Sequence, residues 1–134
     1  MIRQIELNDI PIVNEMLKIF NYKIDDNIFD NAFRNVILYE ENDIKGVLVF
    51  DLIYDRIEID YIFVKEDFRR KGIASKLLNY IENNNTLKNI SLEVRTSNTS
   101  AISFYESKEF EKVAVRKNYY NDEDGILMIK RISE

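Results

Sequence analysis

Three segments rich in β-branched and aromatic residues, Ile37 to Glu41, Lys45 to Tyr54 and Arg56 to Val64, follow one another with only Asn42-Asp43 and Asp55 as breaks. Breaks this short join antiparallel neighbours, because a parallel crossover needs a dozen residues or more. An antiparallel meander is therefore expected in the middle of the chain. After Val64 the hydrophobic period changes. A charged loop, Lys65 to Gly72, leads into Ile73, Ala74, Leu77, Leu78 and Ile81, which share one helical face up to the run Asn83-Asn84-Asn85. Ile90 to Arg95 is again a strand, so a βαβ unit follows the meander. Upstream, Met1 to Leu7 alternates like a strand. Asp9 can cap a helix that has Pro11 in its first turn and Ile12, Val13, Met16, Leu17 and Phe20 at helical spacing. A weaker helical pattern, Ile28, Phe29, Ala32, Phe33 and Val36, reaches about Asn35. Downstream come a short helix, Thr99 to Ser107, and strands Phe110 to Tyr120 and Gly125 to Ile132. The expected order is β-α-α-β-β-β-α-β-α-β-β, an α/β (α+β) fold with a mixed, largely antiparallel sheet of about seven strands and about four helices. No linker, repeat or low-complexity segment interrupts it, so one domain over residues 1–134 is expected.

The chain has no Cys and no His among its 134 residues. That removes Cys/His zinc sites, Ser-His-Asp triads, disulfides and any covalent Cys-acyl intermediate. No metal site is expected. Any chemistry must run on carboxylates, Tyr, Lys, Arg, hydroxyls and backbone amides. The start lacks a signal-peptide pattern, and apolar stretches such as Val47 to Phe50 fall far short of the ~20 residues that cross a bilayer. A soluble cytoplasmic protein that binds no membrane is the expectation. With 19 Lys+Arg against 24 Asp+Glu the net charge is −5, which disfavours a nucleic-acid grip and favours a basic partner or an amine.

Three constellations can carry chemistry. Arg69-Arg70-Lys71-Gly72-Ile73-Ala74 stands where a strand hands over to a helix. Unpaired N–H groups, a positive dipole end, a glycine and three cations suit a phosphate there, although a solvated basic turn has the same composition. Neither a Walker loop nor a dinucleotide fingerprint is present. Glu93 lies on the strand face opposite Ile90, Leu92 and Val94, and Tyr105 lies on the next helix. A carboxylate and a phenol can divide proton work, but the same residues could equally be a solvated strand position and a core-edge aromatic. Last, Asn118 to Gly125 reads either as a substrate-facing loop with an aromatic wall and an acidic rim or as a hairpin turn closed by Asp124-Gly125 in type I′ geometry. A calcium loop is excluded, since Tyr120 and Arg131 would fall on the first and last ligand positions.

Taken in order, these features resemble the GCN5-related N-acetyltransferase (GNAT) superfamily. Arg69-x-x-Gly72-x-Ala74 matches its acetyl-CoA signature [QR]-x-x-G-x-[GA]. Leu92-Glu93-Val94-Arg95-x-Ser97-Asn98, Ala101-Ile102-x-x-Tyr105-Glu106-Ser107-x-x-Phe110, Arg116-x-Asn118-Tyr119-Tyr120 and Glu123-Asp124 are similar to its ribosomal-protein-alanine (RimI-type) branch. The motif-bearing match covers about Ile57 to Met128. The resemblance implies the GNAT fold and acetyl-CoA as cosubstrate. Backbone N–H groups of Arg70, Lys71, Gly72, Ile73 and Ala74 would face the pyrophosphate, with Arg69 at the head of the loop. Ile62, Phe63 and Val64 would pair through their backbone with the pantetheine arm, and Asn98 would hydrogen-bond the cosubstrate. It implies Glu93 as general base and Tyr105 as general acid, and a protein N-terminus, that of a basic ribosomal protein, as acceptor. An α-amine has a pKa of ~8 and a lysine ~10.4, so the attacking amine must lose a proton, which Glu93 could take through water, while Tyr105 could protonate the leaving thiolate. With no Cys to carry the acyl group, direct transfer in a ternary complex is expected.

Departures from the family pattern are local. Glu109 stands where relatives place glycine before Phe110, so it must adopt a left-handed conformation or end the helix differently. Asn121 replaces a proline, and the Pro-Trp segment common near the N-terminus is not evident around Phe20 to Phe29. Two other functions fit the same residues. One is acetylation of a lysine or small amine with Glu58, 11 residues before Arg69, or Asp60 as base. The other is a non-catalytic acyl-CoA-binding module.

Overall fold

Strand pairing organises the molecule, whose computed structural model describes residues 1–132. The strands are β1 (Ile2–Gln4), β2 (Arg34–Glu41), β3 (Asp43–Ile53), β4 (Arg56–Val64), β5 (Asn89–Arg95), β6 (Glu111–Arg116) and β7 (Gly125–Arg131). They form one seven-stranded sheet in the order β1-β2-β3-β4-β5-β7-β6. Every neighbour is antiparallel except β4 and β5, which are parallel as the βαβ unit requires. The helices are α1 (Ile10–Leu17), α2 (Ile73–Asn83) and α3 (Thr99–Ser107).

The two sheet faces carry separate cores. Val13, Met16 and Leu17 of α1 pack on Val36, Leu38, Val47 and Val49. Leu77, Leu78 and Ile81 of α2, with Ile102 and Tyr105 of α3, cover Leu48, Ile57, Ile90, Leu92 and Met128. Leu77 and Ile81 are fully buried, so truncating either to alanine would cost about 2–5 kcal/mol. α2 sits close to the sheet because residue 46 is glycine: a Cβ there would stand 2.9 Å from Ile73 Cγ2. Arg3 joins β1 to the start of α1 and to β2, reaching Asp9 Oδ2 at 2.7 Å and Glu40 Oε1 at 2.9 Å. Asp9 accepts that bond and one from the Glu6 N–H at 2.8 Å, and it makes no side-chain cap to α1.

Three expectations are corrected. The second helix is a 3-10 turn, Asp26–Asp30, and β2 begins at Arg34. The Asn31 side chain accepts from the N–H groups of Phe33 and Arg34 at 2.9 and 2.8 Å, which turns the chain into the strand instead. Three α-helices therefore flank the sheet. The strand expected to reach Tyr120 stops at Arg116, and β6 joins β7 through a loop spanning 117–124 rather than a tight type I′ hairpin. Left-handed residues of that loop are Asn118 and Asn121, while Gly125 has no positive φ. Gly125 answers a different need: a Cβ there would lie 3.0 Å from Tyr119 Cβ.

Candidate active site

β4 and β5 pair only from Arg56 opposite Asn89 to Ile59 opposite Leu92. Beyond that point β4 bulges at Asp60, because Phe50 faces Ile59 while Val49 faces Tyr61. A bulge bends its strand, and here the two parallel strands separate. Ile62, Phe63 and Val64 stay paired with β3 on one side. Their other edge borders a groove of about 730 Å³.

That groove collects most of the residues expected to bind the cosubstrate. Ile62, Phe63, Val64, Arg69, Arg70, Gly72, Ile73, Ala74 and Asn98 line it, and so does Tyr105, the expected general acid. Gly72 begins α2 with φ +80°, no side chain caps that end, and Lys76 N–H is bonded to the Gly72 carbonyl at 3.0 Å. The N–H groups of the first turn thus remain available to an anion at the positive end of the helix. A Cβ on Gly72 would meet no atom within 4 Å. Glycine serves here the left-handed φ and an open approach. The Arg69 Nε donates to the Val64 carbonyl at 2.9 Å and its guanidinium lies 5.6 Å from the Phe63 ring centre, fastening the loop to the strand edge. The Lys71 side chain does not line the groove; its ammonium sits 5.6 Å from the Phe68 ring centre. Asn98 caps α3, accepting from the Ala101 N–H at 3.2 Å.

A second cleft of about 320 Å³ adjoins the first, and Ile62, Asn98, Ala101, Tyr105 and Phe20 line both. Its polar lining is Asp60, Tyr61, Glu93, Arg95 and Tyr120 besides Tyr105 and Asn98. Glu93 reaches it because β5 alternates: Ile90, Leu92 and Val94 are buried under α2 and α3, which turns Ser91, Glu93 and Arg95 to the other face. The Glu93 side chain is 14% exposed and its Oε1 lies 3.0 Å from Arg116 Nε. Oε2 is buried with no hydrogen-bond partner among the described residues. Burial raises the Glu93 carboxyl above the ordinary range, and Arg116 opposes part of that rise. Tyr105 is 7% exposed and packs edge-to-face on Phe104 and Phe110, with ring centres 5.3 and 5.5 Å away. Burial holds its phenol well above the ordinary range, so the hydroxyl is protonated at neutral pH.

Glu58 and Asp60, the other candidate bases, fare differently. Glu58 is exposed and lines neither cavity. Asp60 lines the cleft but is ion-paired with Arg34, which also holds Asp51 at 2.8 Å and the Tyr22 hydroxyl at 2.9 Å. Tyr22 in turn stacks on Tyr61 at 4.6 Å, and Phe20 lies 5.1 Å from Tyr61. No local pattern in the sequence announces this aromatic wall. On the opposite side the loop spanning 117–124 is pinned by Glu123, which accepts from Ser97 N–H at 2.6 Å and Thr96 Oγ1 at 2.9 Å. These bonds hold the Glu123 carboxyl below its ordinary range. Tyr120 is placed over the Arg95 guanidinium at 4.5 Å. The approach of Arg116 to Glu93 depends on strand pairing and is not legible in the sequence.

Comparisons with known proteins bear on the family and the fold. An N-alpha-acetyltransferase of Saccharolobus solfataricus is 47% identical over 74 residues, 52% of this chain, and the match spans 44% of that protein's length. The [Ribosomal protein bS18]-alanine N-acetyltransferase of Salmonella typhimurium is 31% identical over 108 residues, covering 75% of this chain and 73% of that protein. The crystal structure of the ribosomal-protein-S18-alanine N-acetyltransferase from Escherichia coli superposes with a TM-score of 0.84 at 24% identity, over 100% of this chain and 94% of that one, and shows the shared fold. The profile of the Acetyltransferase (GNAT) family matches residues 3–110, and the chain belongs to that family.

Proposed function

We propose that the protein moves the acetyl group of acetyl-CoA to the α-amine of a protein N-terminus, with a basic ribosomal protein as acceptor. One observation carries the reading: the groove along β4 and the cleft holding Glu93 meet at Tyr105. An acyl donor laid along the β4 edge and an amine entering from the cleft would reach each other there.

The chain's own residues supply what the transfer needs. The first turn of α2, with Arg69 and Arg70 beside it, suits a pyrophosphate. The unpaired edge of Ile62, Phe63 and Val64 suits an amide-bearing arm, and its backbone N–H groups can steady the developing oxyanion. Glu93 Oε2 accepts the amine's proton through water, and Tyr105 donates its proton to the departing thiolate. Relatives named for N-terminal acetylation support the α-amine as acceptor. The ion pair of Asp60 with Arg34 weighs against Asp60 as base and so against the lysine or small-amine reading.

The test is CoA release from acetyl-CoA with three acceptors: a peptide with a free N-terminal alanine taken from a small-subunit ribosomal protein, an N-terminally blocked lysine peptide, and a polyamine. The free N-terminus is expected to react fastest. Preference for the blocked peptide or the polyamine would overturn the acceptor class. Acetyl-CoA binding without CoA release from any of them would favour a non-catalytic acyl-CoA module.

A further inference from the structure

We infer that Arg116 is a positioning residue for Glu93: it holds Oε1 so that Oε2 is the oxygen turned to the incoming amine. The inference rests on Glu93 being the base proposed above. Strand register brings the two together. Across the sheet Glu93 pairs with Leu127 and Leu127 with Ala114; two residues on, Arg95 pairs with Gly125 and Gly125 with Arg116. Directly paired residues point to one face, and so do residues two apart on a strand. Arg116, Gly125 and Glu93 therefore share a face, and Arg116 reaches its partner diagonally across β7. Position 125 has no side chain to block that path. In its place stands Tyr119, whose Cβ would be 3.0 Å from a Cβ at 125 and whose ring centre lies 6.0 Å from the Arg116 guanidinium. The loop spanning 117–124 thus supplies a ring beside the arginine.

The contact divides the two carboxylate oxygens. Oε1 is 3.0 Å from Arg116 Nε, while Oε2 is buried without a partner. A buried oxygen with nothing bound to it is costly in a merely structural ion pair, and it is the oxygen left to take a proton once water or the amine reaches it. The other charged or titratable groups at the cleft are Arg95, Asp60, Tyr61, Tyr105 and Tyr120, with Tyr119 beside Arg116. Arg95 is engaged by Asp122 at 2.8 Å and Glu123 at 3.4 Å, and Asp60 by Arg34. Arg116 is the cation committed to Glu93. Its side chain is 53% exposed, so its loss opens no cavity, and what it leaves unpaired is the Glu93 carboxylate.

The experiment titrates the Glu93 side chain by ¹³C NMR in protein labelled at the glutamate δ-carboxyls, the signal being assigned as the one that Glu93→Gln removes. Arg116→Met should move the midpoint up by about half a pH unit or more, because the charge that favours the ionised form has gone. Arg116→Lys should move it less. With the acceptor peptide, Arg116→Met should lower kcat about tenfold with acetyl-CoA affinity unchanged, shift the acid limb of the rate profile upward, and cost nothing further in a Glu93→Gln background. The same Glu93 midpoint in wild type and both variants would overturn the inference. So would an equal loss in the Glu93→Gln background, which would mean that Arg116 acts on the acceptor directly. Should Glu93→Gln keep wild-type turnover, the base assignment fails instead, and the NMR titration separates that result from this one.

Discussion

At Glu93 burial and charge pull in opposite directions, and burial prevails: desolvation raises the carboxyl, Arg116 lowers it, and the net shift is upward. A carboxyl whose folded pKa exceeds its unfolded value adds stability that is fully present below the unfolded pKa and is lost as pH rises through the folded one. At pH 7 the ionised, half-paired Glu93 is therefore a burden on the fold. Glu93→Gln should melt no lower than wild type at pH 7 and lose any advantage as the pH falls below the ordinary carboxyl range, where Glu93 is neutral folded and unfolded. Its turnover should nonetheless fall by roughly 10² because the proton acceptor is gone. Melts at neutral and acid pH beside CoA-release rates check both halves, and a variant that melts several degrees lower at pH 7 would contradict the stability argument. Tyr105 separates function from packing more cleanly still. Its ring is fixed by Phe104 and Phe110, so Tyr105→Phe should preserve the melt within a degree or two while turnover drops by about 10². Wild-type turnover in a folded Phe variant would return the residue to a purely structural role.

Among the elements, α3 shows how a backbone cost is accepted to hold a side chain. It ends with Phe110 N–H on the Tyr105 carbonyl and Glu109 N–H on the Glu106 carbonyl, both at 3.0 Å, with Glu109 at φ 73°. This is a Schellman ending completed by the Tyr105–Phe110 ring contact. A left-handed residue other than glycine costs ~1–2 kcal/mol, and glycine's greater backbone entropy gives back ~0.5–1 kcal/mol. Glu109→Gly should thus gain about 0.5–1 kcal/mol, a rise of a few degrees in Tm; a lower Tm would show that Glu109 contributes more than backbone geometry. The strain at Glu109 was visible in the sequence because a glycine was missing from a motif. The meander was visible because period-two runs and short breaks are local signals. The second helix does not form for the converse reason: Ile28, Phe29 and Phe33 have helical spacing, yet Phe29 and Phe33 are 48% and 49% exposed, and spacing alone does not say whether a core waits opposite. Site residues follow the same division. Arg69 to Ala74 are consecutive and could be read together; Arg116 and the Phe20, Tyr22 and Tyr61 wall meet the site only through pairing and packing.

For the molecule as a whole the relevant quantity is the field of its net charge of −5. The acids lining the cleft each touch an arginine, Arg34 for Asp60 and Arg116 for Glu93, and beside the cleft Asp122 and Glu123 share Arg95. Contact pairing therefore gives a cationic acceptor little extra grip at the mouth, and attraction must come from the long-range excess of negative charge. Such attraction acts on encounter and fades as the screening length shrinks from ~30 Å at 0.01 M salt to ~8 Å at 0.15 M. If the acceptor is a basic protein N-terminus, raising salt across this range should increase KM for a peptide with several Lys and Arg residues by a few-fold, with kcat nearly constant. For a peptide of zero net charge with the same first residues, KM should stay level. The neutral peptide makes the comparison internal, because any effect of salt on acetyl-CoA binding or on the fold would appear in both. Equal salt responses would show that the negative field plays no part in choosing the acceptor, and the argument from charge to a ribosomal partner would fall while the proton chemistry at Glu93 and Tyr105 stood.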